Sequence, residues 1–487
     1  MRDRGSLGGA RRPHCCPDTR PDAPCCRLPT DPNIWRAAET FRLQSRIALR
    51  KRFAANTRAS ITAVALAVTA CLGVFSAHAL AAPLELQLSL DNPSPNANDL
   101  FGQAVSLSGG IALVGASLDG TTGSGSGQAY LFDTATGTLL HTLANPTPAV
   151  NDFFGLRASL SGNLALVGTQ NDDTSALNAG TVYLFNATTG ILLRTFLDPG
   201  ASPIASDNFG HAVAVSGNQV LISANLDDAG ATNSGAAYLF DATTGALLKT
   251  FLNPTPAGND QFGTEVALLG NLALIAAPFD DAGATNSGAV YLFDTTTGTL
   301  LRTFTNPTPA SNDNFGTSVA LSGTRVLIGA TQDDTLGFNE GAAYLYDLAT
   351  GNLVSTLLIP SQNGDSEFLG QSSALSDSYA LVGAAFDNSA ALDAGGAYLF
   401  DAMTGALQQE IFDPQPFPGD RFGFAVALDG SNALIGAQTD RVGTVPQGSV
   451  FYFAPQALPE PPTLAVLAVV LATSLVTMRR RSTGIAR

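Results

Sequence analysis

Aspartate is the residue type that recurs in this chain at spacings able to do chemistry. Asp172-Asp173, Asp227-Asp228, Asp280-Asp281 and Asp333-Asp334 form one periodic set, and Asp152, Asp207, Asp260, Asp313 and Asp420, each just before a Phe-Gly pair, form a second. Hard cations such as calcium take about six to eight oxygen ligands, which loops rich in Asp, Asn and backbone carbonyls can supply. The same side chains also close local turns by accepting loop N–H groups, so calcium and a purely structural role both stand as readings. Glycoside hydrolysis would need two particular carboxylates about 5–10 Å apart, and an acid repeated in unit after unit singles out no such pair. From residue 83 onward there are two histidines, His141 and His211. His141 holds a place taken by Lys249 and Arg302 in other units, and His211 one taken by Gln103, Thr264 and Thr317. For His141, on a fourth strand, an edge position with mixed polar occupants reads as solvated surface. There is no Gly-x-Ser-x-Gly elbow, zinc motif or phosphate loop, so no catalytic or metal residue is assigned and the chain is read as a non-enzyme.

A repeat positions these carboxylates. Phe-Gly pairs open units at Phe101, Phe154, Phe209, Phe262, Phe315 and Phe422, and Phe368-Leu369-Gly370 fills the remaining slot, giving seven units spaced by 53, 55, 53, 53, 53 and 54 residues. Units of that size cannot bury their own apolar faces and must stack. Each holds four short apolar runs, as in Val266 to Leu269, Leu272 to Ala277, Ala289 to Phe293 and Leu300 to Phe304. Between the runs lie Gly270-Asn271, the loop from Asp280 to Gly288, Thr297-Gly298 and Asn306-Pro307-Thr308-Pro309. Gly and Asn supply positive φ and Pro removes a ladder donor, so the runs are strands ended by turns. Four short strands per unit predict a propeller blade, hence an all-β, seven-bladed β-propeller. Because antiparallel strands alternate in direction, both aspartate-bearing loop sets emerge on one acidic face, with the short turns on the other.

The ends of the array complement each other. Leu84 to Gly102 matches the tail of an ordinary unit such as Leu139 to Gly155, so the chain begins with a fourth strand that has no first three. The seventh unit stops after its third strand, Ser449 to Phe453. Pairing Leu84 to Leu90 with Val450 to Phe453 would complete blade seven and remove two open sheet edges.

The propeller is assigned to residues 83–455. Residues 1–43, which carry Cys15, Cys16, Cys25, Cys26 and Trp35, are expected to be disordered or upstream of the true start, the paired cysteines lacking zinc spacing with histidine partners. Residues 44–82 have the form of a secretory signal peptide: a basic stretch from Arg46 to Arg58, an apolar one from Ile61 to Phe75, and small-residue cleavage sites from Ser76 to Ala81. Cys71 lies within it, leaving the secreted body without cysteine. Seven of the 24 Lys+Arg lie between residues 83 and 478 against 35 Asp+Glu from residue 83 onward, a net charge of about −28. Such a surface repels nucleic acid and anionic lipid, leaving divalent cations, neutral glycans or protein ligands as candidate partners for the acidic face.

Residues 456–487 combine Pro459-Glu460-Pro461, an apolar run from Leu464 to Val476 and Arg479-Arg480-Arg481. The run is shorter than the roughly 20 residues a stable span prefers, and the arginines beyond it fit the positive-inside rule. This order of parts resembles the PEP-CTERM sorting signal. The resemblance implies recognition of Pro459, Glu460, Pro461, Arg479, Arg480 and Arg481 by a membrane protease of the exosortase type, with membrane contact only through this segment; an uncleaved tail anchor is the alternative. The repeat itself resembles the FG-GAP family, best known from the seven-bladed head of integrin α chains, in the Phe-Gly pairs and in second-strand endings such as Val114-Gly115-Ala116, Ile328-Gly329-Ala330 and Ile435-Gly436-Ala437. Calcium-binding members carry Asp-x-Asp-x-Asp-Gly between strands one and two, where this chain has tight turns such as Ser161-Gly162-Asn163, so that site is not carried over. Together the two resemblances imply a secreted binding or structural protein of the cell envelope or exopolysaccharide matrix, with a secreted carbohydrate-active enzyme as the competing reading.

Overall fold

The computed structural model describes residues 83–200, 206–359 and 366–456. Among them are seven four-stranded antiparallel sheets, one two-stranded hairpin and no helix. Blade 4 shows the plan, with strands Val266–Leu269, Leu272–Ala277, Ala289–Asp294 and Leu300–Thr305 falling where the apolar runs predict them. The two middle strands are buried along almost their whole length, and so read LALIAA and AVYLF without alternation, because a neighbouring blade covers each face of the sheet. The fourth strand is outermost, and Phe304 is its one buried residue.

Seven apolar clusters hold the ring, each pooling side chains from two adjacent blades. The phenylalanines of the Phe-Gly pairs sit at the centre of these contacts, all fully buried. At all seven junctions the N–H at this place donates to a loop carbonyl of the preceding blade, over 2.8–3.1 Å, from Phe101 to Gln447 through to Phe422 to Ala394. The glycines explain both sequence marks. Gly102 sits at φ +89°, where a Cβ would lie 2.8 Å from Ser449 O, and a Cβ on Gly436 would lie 2.0 Å from Gly102 O. The Phe-Gly glycine and the second-strand glycine thus meet where two blade backbones touch.

One unit is framed differently from the sequence reading. In blade 6 it is Leu369, not Phe368, that is buried and donates its N–H to Glu340 O, at 3.0 Å. Phe368 takes the left-handed place held by Phe153 and Arg421 in other blades, and its ring packs on Phe386 at 5.2 Å.

Closure is as the two ends predict. Leu84–Asp91 pairs antiparallel with Ser449–Pro455, Leu86 opposite Phe453 and Leu90 opposite Val450, as the outer strand of the sheet completed by Asn432–Ala437 and Phe422–Asp429. Leu84 and Leu90 are buried in the clusters on either side of blade 7.

Candidate functional site

The acidic loop face is built from a hydrogen-bonded motif repeated at the blade junctions. Where the outer strand of blade 1 leaves for blade 2, the Asn145 amide donates to Asp152 Oδ2 at 2.8 Å and the Ala149 N–H to the same oxygen at 2.6 Å. The Tyr183 hydroxyl donates to Asp172 Oδ2 at 2.9 Å, and Thr147 Oγ1 lies 2.6 Å from that hydroxyl and 3.0 Å from the carboxylate. Asn92, Asn253 and Asn306 repeat the amide bond onto Asp99, Asp260 and Asp313 at 2.7–2.9 Å. Tyr130, Tyr238, Tyr291, Tyr344 and Tyr398 repeat the hydroxyl bond onto Asp119, Asp227, Asp280, Asp333 and Asp387. The two loop sets therefore meet on one face, with their inner carboxylates committed to stapling each inter-blade linker onto the next blade. Burial raises Asp99, Asp152 and Asp260 above the usual carboxylate range, and takes Asp313 up to about 6.

The second aspartate of each pair does something else. Asp173, Asp228, Asp281 and Asp334 are exposed, and each accepts the N–H five residues on, from Asn178, Asn233, Asn286 or Asn339, at 2.6–2.8 Å. The first aspartates Asp172, Asp227 and Asp333 also close turns, each accepting the N–H two residues on at 2.7–2.9 Å. The amide and tyrosine partners were not singled out in the sequence, although constant separations signal them: seven residues from Asn to Asp and eleven from Asp to Tyr.

The first strands line a central channel, and there the blades stop being equivalent. A cavity of about 320 Å³ is bordered by Gln103, Arg157, Glu265, Thr317, Gln371 and Phe424. Arg157 Nε donates to His211 O at 2.8 Å, and His211 Nδ1 lies 3.1 Å from Gln170 Oε1. His211 is half-buried in the channel wall, where burial, with the charge of Arg157, pushes its pKa down to about 3. Burial also raises Glu265, against the opposing pull of Arg157. His141, expected to be solvated, is half-buried and has its Nε2 2.9 Å from Thr188 O in the next blade. Arg194 and Arg302 reach the matching turns of their neighbours, which is why this slot holds long polar side chains.

The sorting residues Pro459, Glu460, Pro461, Arg479, Arg480 and Arg481, the apolar run Leu464 to Val476 and the signal-peptide segment lie outside the described residues. Among the described residues no helix is long and apolar enough to cross a membrane.

Residues 93–132, 143–185, 203–240, 254–293, 302–346 and 407–453 match the FG-GAP repeat, together just over half of the chain. The unmatched unit is blade 6, where leucine replaces the buried phenylalanine. No curated protein matches the chain.

Proposed function

Since the chain belongs to the FG-GAP repeat family, we propose that it is a binding or structural module of the cell envelope or extracellular matrix, exported by its N-terminal segment and sorted by its C-terminal one. The observation that carries this reading is the stapled loop face. Six junctions that share the tyrosine–aspartate bond hold long loops on one side of a closed ring, and the outer aspartates Asp173, Asp228, Asp281 and Asp334 stand exposed there at repeat spacing. A preorganised surface loses little conformational entropy on binding, which favours docking of a neutral glycan or a protein. The charge of the body opposes nucleic acid and anionic membrane.

Purified protein applied to a glycan array, with and without calcium, tests the proposal together with fractionation of the producing cells. Retention of a glycan class and recovery in the envelope or matrix support it. Recovery in the cytoplasm sinks the sorting part, and release of sugar products from a retained glycan would replace binding by the carbohydrate-active alternative. The tail is tested by Glu460→Ala: an exosortase-type signal predicts loss of processing, read as a larger mature mass, whereas a plain anchor predicts an unchanged mass.

A further inference from the structure

The junction entering blade 7 lacks both the amide and the hydroxyl donor of the repeated motif. In six blades a third-strand tyrosine donates to the aspartate opening the loop between strands two and three. In blade 7 that aspartate is Asp440, and the tyrosine's place is held by Phe451, which packs on Phe422 at 5.5 Å much as Tyr130 packs on Phe101 at 5.8 Å. The asparagine that donates to the second aspartate at four junctions is here Asp413, facing Asp420, much as Asp198 stands before Asp207 at the entry to blade 3, and the Thr147 position is Gln415. Three carboxylates, Asp413, Asp420 and Asp440, are left together, 6%, 0% and 8% exposed, each offering an oxygen within 4.8 Å of the others.

A second observation concerns the oxygens themselves: Asp420 Oδ1 shares its unpartnered state with Asp313 Oδ1 of an ordinary junction, but Asp413 adds a second such oxygen here. Asp413 Oδ2 and Asp420 Oδ1 are buried and have no hydrogen-bond partner, although Asp413 Oδ1 and Asp420 Oδ2 accept the Gln415 and Phe417 N–H groups. Buried carboxylate oxygens without donors are costly to keep ionised unless a positive charge replaces the missing hydrogens. Protein supplies that charge only from a distance, through Arg441 acting on Asp420. Arg441 is the neighbouring cation, yet among the described residues the one ion pair within 4.0 Å is Arg325–Asp347. Burial, with the charge of Asp440 added, pushes Asp413 and Asp420 up to about 6. Beside the cluster opens a cavity of about 280 Å³, lined by Asp91, Asp413, Gln415, Asp440, Arg441 and Ser449.

We propose that Asp413, Asp420 and Asp440 hold a divalent hard cation of the calcium type, with water in the adjoining cavity completing its shell. All three protein ligands are carboxylate oxygens, the donor set of a hard ion rather than of zinc or copper. Calcium takes oxygens at about 2.3–2.6 Å in flexible geometry, whereas magnesium demands a near-ideal octahedron and keeps several waters, so three fixed carboxylates within 4.8 Å of one another suit the more tolerant ion. The site lies at the blade that joins the two ends of the ring, away from the turn between strands one and two.

Calcium titration of the chelator-treated full chain at pH 7.5, followed by calorimetry and by melting temperature, tests this. One site with a melting temperature that climbs with free calcium, and weaker binding of magnesium, is the expected result. The double variant Asp413→Asn with Phe451→Tyr rebuilds the ordinary junction, so it should fold while binding at least tenfold more weakly and losing the thermal response. Asp440→Asn gives an independent removal of one ligand with the same expectation. No heat and no thermal shift at millimolar calcium would overturn the proposal. So would undiminished binding in both variants, which would place the ion on the exposed aspartates. A melting temperature that follows pH through 6 and ignores calcium would overturn it in favour of a shared proton.

Discussion

His211 owes its behaviour to residues far away in sequence. Arg157 and Gln170, on the preceding blade, surround it with a charge and an amide and leave it neutral with a pKa of about 3. Its folded pKa lies below the ordinary value of 6.5, so below pH 6.5 the unfolded chain takes up a proton that the folded one refuses. Stability is lost as pH falls, by up to about 1.4 kcal/mol per unit until the folded pKa is reached. His211→Gln, which places there the residue that blade 1 carries as Gln103, should flatten the acid limb of a melting-temperature profile between pH 6.5 and about 4 and change little at pH 8. An unaltered acid limb would show that His211 is not strained by its surroundings. The sequence shows His211 only as a member of a mixed polar slot. Its burial follows from how neighbouring first strands line the channel, and no local pattern encodes that.

At the scale of strands and turns much more was legible, because the punctuation is local. Gly270, at φ +58°, turns the chain between Val266–Leu269 and Leu272–Ala277 as its residue type predicts. Blade 6 is framed one residue early in the sequence because Phe368 and Leu369 are both large and apolar, and it is burial, backbone φ and the inter-blade N–H bond that distinguish them. The junction staples were half legible: their aspartates stood out by charge, while tyrosines inside apolar third strands looked like core. Asn145→Ala leaves the nearly fully buried Asp152 with one donor fewer and should cost about 1–3 kcal/mol in chemical denaturation. Asp152→Asn in the same background should recover part of the loss by removing the charge. Equal stability of Asn145→Ala and the native protein would mean that water replaces the amide. Where the blades touch, Gly436→Val is expected to be as harmful as a core overpacking, about 1–3 kcal/mol, because its Cβ meets Gly102 O at 2.0 Å and the contact partner is backbone.

Across the whole molecule, stability rests on the ring being closed, since the described residues include no cysteine and one ion pair. The strand Leu84–Asp91 does three things for that closure. It covers the edge of Ser449–Pro455, it buries Leu84 and Leu90 in two different inter-blade clusters, and it exchanges a pair of 2.8 Å bonds between the Leu84 backbone and the Gln409 amide of blade 6. Loss of the two leucines alone removes roughly 1.5–3 kcal/mol of apolar burial each. The bared edge would also present unpaired N–H and C=O groups to other chains. A chain starting at Asn92 should therefore melt well below the native protein and aggregate on concentration, as seen by light scattering, whereas one ending at Gln456 should keep the native melting temperature. Adding a peptide of sequence LELQLSLD to the shortened chain ought to restore part of the stability, because an empty blade position is a template for that strand. If the shortened chain is as stable and monomeric as the intact one, the N-terminal strand is dispensable and blades 1 and 6 hold blade 7 by their faces alone.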